Sequence, residues 1–100
     1  MDRKIDIAKF QTGRENHIVH AWLSHSAGHK AYILHVYPVE VVEYGNGIVI
    51  HKVVLYSGRA VHIDYAPRYS AKRLERLAAD AEMLARAKAL ATTLGAIVEV

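Results

Sequence analysis

The chain has 100 residues, 52% of them hydrophobic and 23% charged, and thirteen Lys and Arg against ten Asp and Glu leave a net charge of +3. That length fits one domain, and the apolar fraction excludes a disordered chain. No cysteine is present, which excludes disulfides, thiolate metal sites and thiol nucleophiles.

The first residues, Met1-Asp2-Arg3-Lys4-Ile5-Asp6, carry charge where a signal peptide needs its apolar stretch. No apolar run approaches the roughly 18 residues of a membrane span, so a cytoplasmic protein with no membrane contact is expected. The mild basicity permits an anionic partner without demanding one. Histidine is over-represented, with seven residues.

Residues 4–10 alternate apolar and polar as a strand does, and Gln11-Thr12-Gly13-Arg14 reads as a turn. His17 to Ser24 is a strand rich in β-branched and aromatic residues, broken at Ser26-Ala27-Gly28. Lys30 to Tyr37 is another. Pro38 cannot donate to a ladder and marks an edge, a bulge or a strand boundary. The extended pattern resumes over Val39–Tyr44, Gly45-Asn46-Gly47 signals a hairpin, and Ile48–Tyr56 is the clearest strand. Ser57-Gly58-Arg59 is expected to turn the chain again, into Ala60–Tyr65.

Two three-residue loops would set Tyr44 opposite Ile48 and Tyr56 opposite Ala60. Lys52 would then lie between Glu40 and Asp64 on a partly wet face, each pair worth a few tenths of a kcal/mol. The other face would gather Val39, Val41, Val49, Val53, Leu55, Val61, Ile63 and Tyr65 as core, with His51 held neutral among them.

After Pro67 the period changes to that of a helix, running from about Ala71 to Leu94 with Ser70 as N-cap and Gly95 just past its end. Leu74, Leu77, Ala78, Ala81, Leu84 and Ala85 form a stripe that would sit on the valine face. Arg76–Asp80 and Glu82–Arg86 are spaced to support the helix from outside. A second line, Met83, Ala87, Leu90 and Leu94, is rotated away from the first. It implies either a break between about Asp80 and Arg86 or a second covered surface, under the N-terminal strands or as a homodimer seam. Residues 96–100 look like a short closing strand. The reading is an α+β domain: an antiparallel sheet of about four to five strands, covered on one face by a long C-terminal helix, with a short final strand.

Chemistry finds little purchase. His17-x-x-His20 and His25-x-x-x-His29 have spacings seen in zinc sites, but residues three apart on a strand point to opposite faces, and no third ligand is evident. His62-x-Asp64 shares a strand face as an oriented base would, yet no nucleophile accompanies it. Gly45-Asn46-Gly47 lacks the lysine and helix of a phosphate loop. No cofactor, metal or catalytic activity is expected.

The start of the helix is physically out of place. Arg68, Lys72, Arg73 and Arg76 gather there with Tyr69 beside them and only Glu75 against them, although a helix dipole prefers acids at that end. Such an end can bind an anion, or the arginine stems simply cover apolar surface. A non-catalytic binding protein follows, using Arg68, Tyr69, Lys72, Arg73 and Arg76 against a protein with an acidic surface. Nucleic acid is the second choice, with Tyr65 added. Small domains of this build are frequent in phages and mobile elements, where some inhibit nucleic-acid-handling machines; size alone suggests that provenance here.

Overall fold

The computed structural model describes residues 3–53 and 59–98; the side chains of residues 43, 44, 48–53, 59, 60 and 62 are outside that description. Seven elements follow in order: β1 (Lys4–Gln11), β2 (His17–Ser26), β3 (Ala31–Tyr44), β4 (Ile48–Val53), β5 (Arg59–Tyr65), α1 (Ala71–Ala78) and α2 (Ala81–Thr93). The architecture is α+β, an antiparallel sheet with two helices.

The strand order is β1-β2-β3, with β4 and β5 both paired to β3. β2 takes one edge of β3 from Ala31 to Glu40. The other edge is shared: β4 pairs with Val39–Tyr44 and β5 with Ala31–Val36. β4 and β5 are therefore consecutive segments along one edge. β3 itself runs through Pro38, where a strand boundary is one of the expectations.

This pairing splits the expected register. Tyr44 faces Ile48 and Glu40 faces Lys52, as the three-residue loop requires, with Gly47 at φ 75° closing it. Asp64, however, faces Tyr32 rather than Lys52. Glu40 and Tyr32 lie eight residues apart on β3, roughly 27 Å along a strand. One lysine therefore cannot bridge Glu40 and Asp64. Leu55 and Tyr56 lie outside the described residues, as do the side chains of His51, Lys52 and His62 and the end of the expected final strand.

Cross-strand partners share a face. Val19, Ala21 and Leu23 of β2 join Tyr32, Leu34 and Val36 of β3 in one buried cluster with Leu74, Met83, Ala87 and Ala91 of the helices. The core is built on β2 and β3, and the valine face does not exist as one surface. Val39 stands opposite Ile18, on the reverse face, whereas Val61 and Ile63 pack against the core cluster. Tyr65 is 70% exposed.

Two bulges set the facing of Lys9 and Phe10 in β1 and of Asp64 and Tyr65 in β5. In β1 the register shifts between Asp6 and Ala8, so Ile7 is the extra residue. Uninterrupted alternation would carry Lys9 inward with Ile5 and Ile7; the bulge turns Phe10 inward instead and sets Lys9 opposite His20. In β5 a shift between the partners of Tyr32 and Ile33 makes Ile63 the extra residue. Asp64 then shares the face of Tyr32, and Tyr65 goes to the other side.

The single long helix is corrected to two. Ser70 caps α1 by accepting from the Arg73 N–H, and α1 ends at Ala78. Asp80 caps α2 by accepting from the Glu82 N–H at 2.8 Å. A side chain expected to pair with Arg76 serves as a cap. Each helix keeps one stripe: Leu74, Leu77 and Ala78 from α1, and Met83, Ala87, Leu90 and Leu94 from α2. Met83 is 3% exposed and Ala87 fully buried within one chain, so this line packs internally, with Leu90 and Leu94 partly buried beside it. Gly95, at φ 95°, closes α2. Its N–H reaches Thr92 C=O at 3.2 Å and the Ala96 N–H reaches Ala91 C=O at 3.0 Å, the paired bonds of a Schellman cap. In the described part of the expected final strand, Ala96 forms an isolated bridge with Thr12 and the Ile97 N–H donates to Gln11 C=O at 2.8 Å.

Met83→Ala should lower the unfolding free energy by about 2–4 kcal/mol in a urea titration, with hydrodynamic size unchanged. A change in oligomeric state without loss of stability would restore the seam.

Candidate functional site

The expected site lies at the start of α1. Arg68, Lys72, Arg73 and Arg76 are exposed there and Tyr69 is half-buried. Arg73 is not free: its guanidinium forms an ion pair with Asp64 and lies over the Tyr32 ring, 5.6 Å from its centroid. The missing first-turn acid is thus supplied from β5, by the bulge that turns Asp64 to this side. Tyr69 packs beside His25, with centroids 5.7 Å apart, and carries the Arg3 guanidinium at 5.1 Å. Tyr32 OH accepts from the Ser70 N–H at 3.0 Å and donates to Ser70 C=O at 3.1 Å, fixing the helix start on the sheet. These contacts make the helix start a docking point of the fold itself. Arg68, Lys72 and Arg76 remain as an exposed basic patch, without Arg73.

His25 is buried beneath this junction, 7% exposed, with its ring 5.0 Å from that of Tyr32. Its Nε2–H donates to Ala66 C=O at 2.5 Å, and Nδ1 has no hydrogen-bond partner among the described residues. The other spaced histidines do not converge. His17 Nδ1–H donates to Glu15 C=O at 2.8 Å, and His29 Nδ1 meets Ser26 Oγ at 2.9 Å. Among the described residues, no three of histidine, aspartate and glutamate are grouped to hold a metal ion.

The opposite face of the sheet carries what sequence reasoning passed over. His20 and Trp22 of β2 stand opposite Tyr37 and His35 of β3. Trp22 is stacked with His35 at 5.1 Å and 13°, and with Tyr37 at 5.1 Å and 24°; His20 meets it at 5.1 Å and 45°. From β1, on the other side of β2, Lys4 Nζ lies over the indole at 4.7 Å. The indole is thus stacked on fixed rings from the β3 side and capped by a flexible ammonium from the β1 side. The signal was legible in principle. His20-x-Trp22 and His35-x-Tyr37 are ring pairs at strand spacing, on strands joined by a short loop.

The polar groups around the rings are tied in. His20 Nε2–H donates to Asp6 Oδ1 at 3.0 Å, and His35 Nε2 shares a hydrogen bond with Ser24 Oγ at 2.8 Å. The His20–Asp6 pair has the geometry of a salt bridge, with the His20 side chain only 12% exposed. Burial nevertheless wins: desolvation pushes the His20 pKa below its ordinary value against the pull of Asp6, with Lys4 and Lys9 acting in the same direction as burial. Burial, then Lys4, lowers His35 likewise. Both imidazoles are neutral near pH 7, and Asp6–His20 is a hydrogen bond to a carboxylate.

No protein-family model matches the chain, and neither a curated protein nor a solved structure matches it significantly. No helix among the described residues is long and apolar enough to cross a membrane.

The two lowered imidazoles link stability to pH. Their folded-state pKa values lie below the ordinary 6.5, so the unfolded chain binds more protons as pH falls through and below that value. The neutral imidazoles' contribution is complete above about pH 6.5 and disappears as pH drops through the lower folded-state values. Urea midpoints should fall between about pH 7.5 and pH 5, and His35→Gln should flatten the decline. A midpoint independent of pH over this range would contradict the assignment.

Proposed function

We propose that the chain is a non-catalytic binding protein that engages another macromolecule through the sheet face around Trp22. In this reading α1 and α2 pack on the face of Leu34 and Val36, and the ring cluster of the reverse face, beside buried Ile33 and Val39, is what serves recognition. The observation that carries it is the Trp22 assembly: an indole stacked with His35 and Tyr37 and capped by an exposed lysine. Tryptophan and tyrosine dominate recognition surfaces because they bring large contact area at small cost in side-chain entropy. A row of rings with a cation interleaved recognises a partner without any reacting group.

The basic start of α1 is the weaker surface. Arg73, the cation best placed in the first turn, is neutralised by Asp64 and adds no net positive charge for a partner. Asp64 is correspondingly unavailable to orient His62 as a base, which supports the non-catalytic reading. Arg68, Lys72 and Arg76 supply long-range attraction at most.

The immobilised protein, challenged with extract from its source, should retain a defined partner. Trp22→Leu combined with Tyr37→Ser should weaken that capture at least tenfold while circular dichroism shows a folded chain. Arg68→Glu combined with Lys72→Glu and Arg76→Glu should change it by less than threefold. The reverse pattern would move the site to the start of α1 and overturn the reading.

A further inference from the structure

We infer that the ligand of the Trp22 face is single-stranded nucleic acid, which rests on the binding reading above and names its partner. The argument begins with Lys4. Its ammonium occupies the side of the indole that β3 does not reach, 4.7 Å from the ring centroid, and the residue is exposed. A lysine there is a movable cap on a four-carbon stem. An unpaired base has a π face of the same footprint as the indole and gains more from stacking than an exposed ammonium gains from lying over the ring. When a base displaces it, Lys4 is released beside the phosphate that the base brings along. One residue therefore guards the stacking site in the free protein and pairs with the backbone in the complex.

Charge on this face fits the same ligand. Lys9, turned to this side by the bulge at Ile7, is a second cation on β1. Asp6, the acid between them in sequence, is held in place by His20 and keeps its charge, so the two lysines outnumber it by one. Lysines along the β1 side of the rings on β2 and β3 suit a strand whose bases stack on the rings while its phosphates run beside them. A protein partner would want apolar area around its aromatic anchors, and the β1 side here is lined with Lys4, Asp6, Lys9 and Gln11. A duplex is disfavoured because its bases already stack on one another and present no free face to Trp22. Stacking accepts any base, so sequence preference should be weak.

Trp22 is the single tryptophan, so its fluorescence reports the site directly. Titration with a single-stranded oligothymidylate of about 12 nucleotides should quench it saturably, and a hairpin duplex should bind at least tenfold more weakly. Two phosphate contacts predict that log affinity falls against log salt with a slope of about −1.4. Lys4→Glu combined with Lys9→Glu should weaken binding at least tenfold and flatten that slope. Fluorescence anisotropy of a labelled strand extends the measurement to Trp22→Leu, which should lose at least tenfold with the slope retained. Both lysines are exposed, so their variants keep the test decisive if Trp22→Leu fails to fold. Absence of saturable single-strand binding overturns the inference, as does equal binding of duplex or loss of binding only in the α1 triple variant. If oligonucleotides do not bind while capture of a protein still depends on Trp22 and Tyr37, the ligand class is wrong and the binding face stands. If capture also ignores those residues, both readings fall.

Discussion

β3 is hydrogen-bonded along both edges, to β2 over Ala31–Glu40 on one side and to β5 and then β4 on the other. A strand flanked in this way has few unpaired backbone groups, so its neighbours inherit their register from it. Its own side chains then assign the two faces of the domain. Tyr32, Leu34 and Val36 enter the core beneath the helices, while His35 and Tyr37 stand on the reverse side against Trp22. The ring cluster and the core are thus built on alternate residues of one strand. A slip of one position would exchange them, and the buried face forbids such a slip.

The sequence pattern places extended segments over β1 to β5 but splits β3 at Pro38, and it misassigns faces, in β1 and β5 because of bulges. Lys4 to Phe10 and Ala60 to Tyr65 each contain one residue beyond regular alternation, Ile7 and Ile63. Nothing in either segment marks that residue, because isoleucine suits a regular strand equally well. The cause is tertiary. Lys9 is poorly suited to the core and Phe10 well suited, and Asp64 has Arg73 waiting on the helix side. A bulge costs one unpaired residue and corrects the facing of everything after it. The misplaced pairing of β4 with β5 has a related origin: Ser57-Gly58-Arg59 carries turn residues, and a turn signal does not say whether the next strand folds back or continues along the same neighbour.

The helical half was more legible because capping is local. Ser70, Gly95 and the two separate stripes are visible in the residues themselves. The break between them was legible as a conflict: one straight helix cannot present Leu74–Leu77–Ala78 and Met83–Ala87–Leu90–Leu94 to the same surface. Asp80 resolves it by accepting from the Glu82 N–H, a role disguised by its spacing from Arg76. A capping aspartate restarts the chain at a new angle, and both stripes reach the core.

The site was the least legible part, for an electrostatic reason. Cations at a helix start stand out in a sequence because they violate the dipole preference, and they were read as a demand for an external anion. Asp64 meets that demand from within, and its position depends on a bulge that only the fold reveals. Local neutralisation removes the contribution of Arg73 to the field that would have recruited a partner, since a paired charge acts at a distance only as a dipole, and Arg68, Lys72 and Arg76 keep theirs. On the reverse face Lys4 and Lys9 outnumber Asp6. Asp6 is held by a neutral imidazole, which leaves Lys4 and Lys9 without a compensating cation–carboxylate pair among the described residues. The burial that keeps His20 and His35 uncharged also presses their rings against Trp22, so the same desolvation builds the stack and leaves the lysines as the positive charges on it.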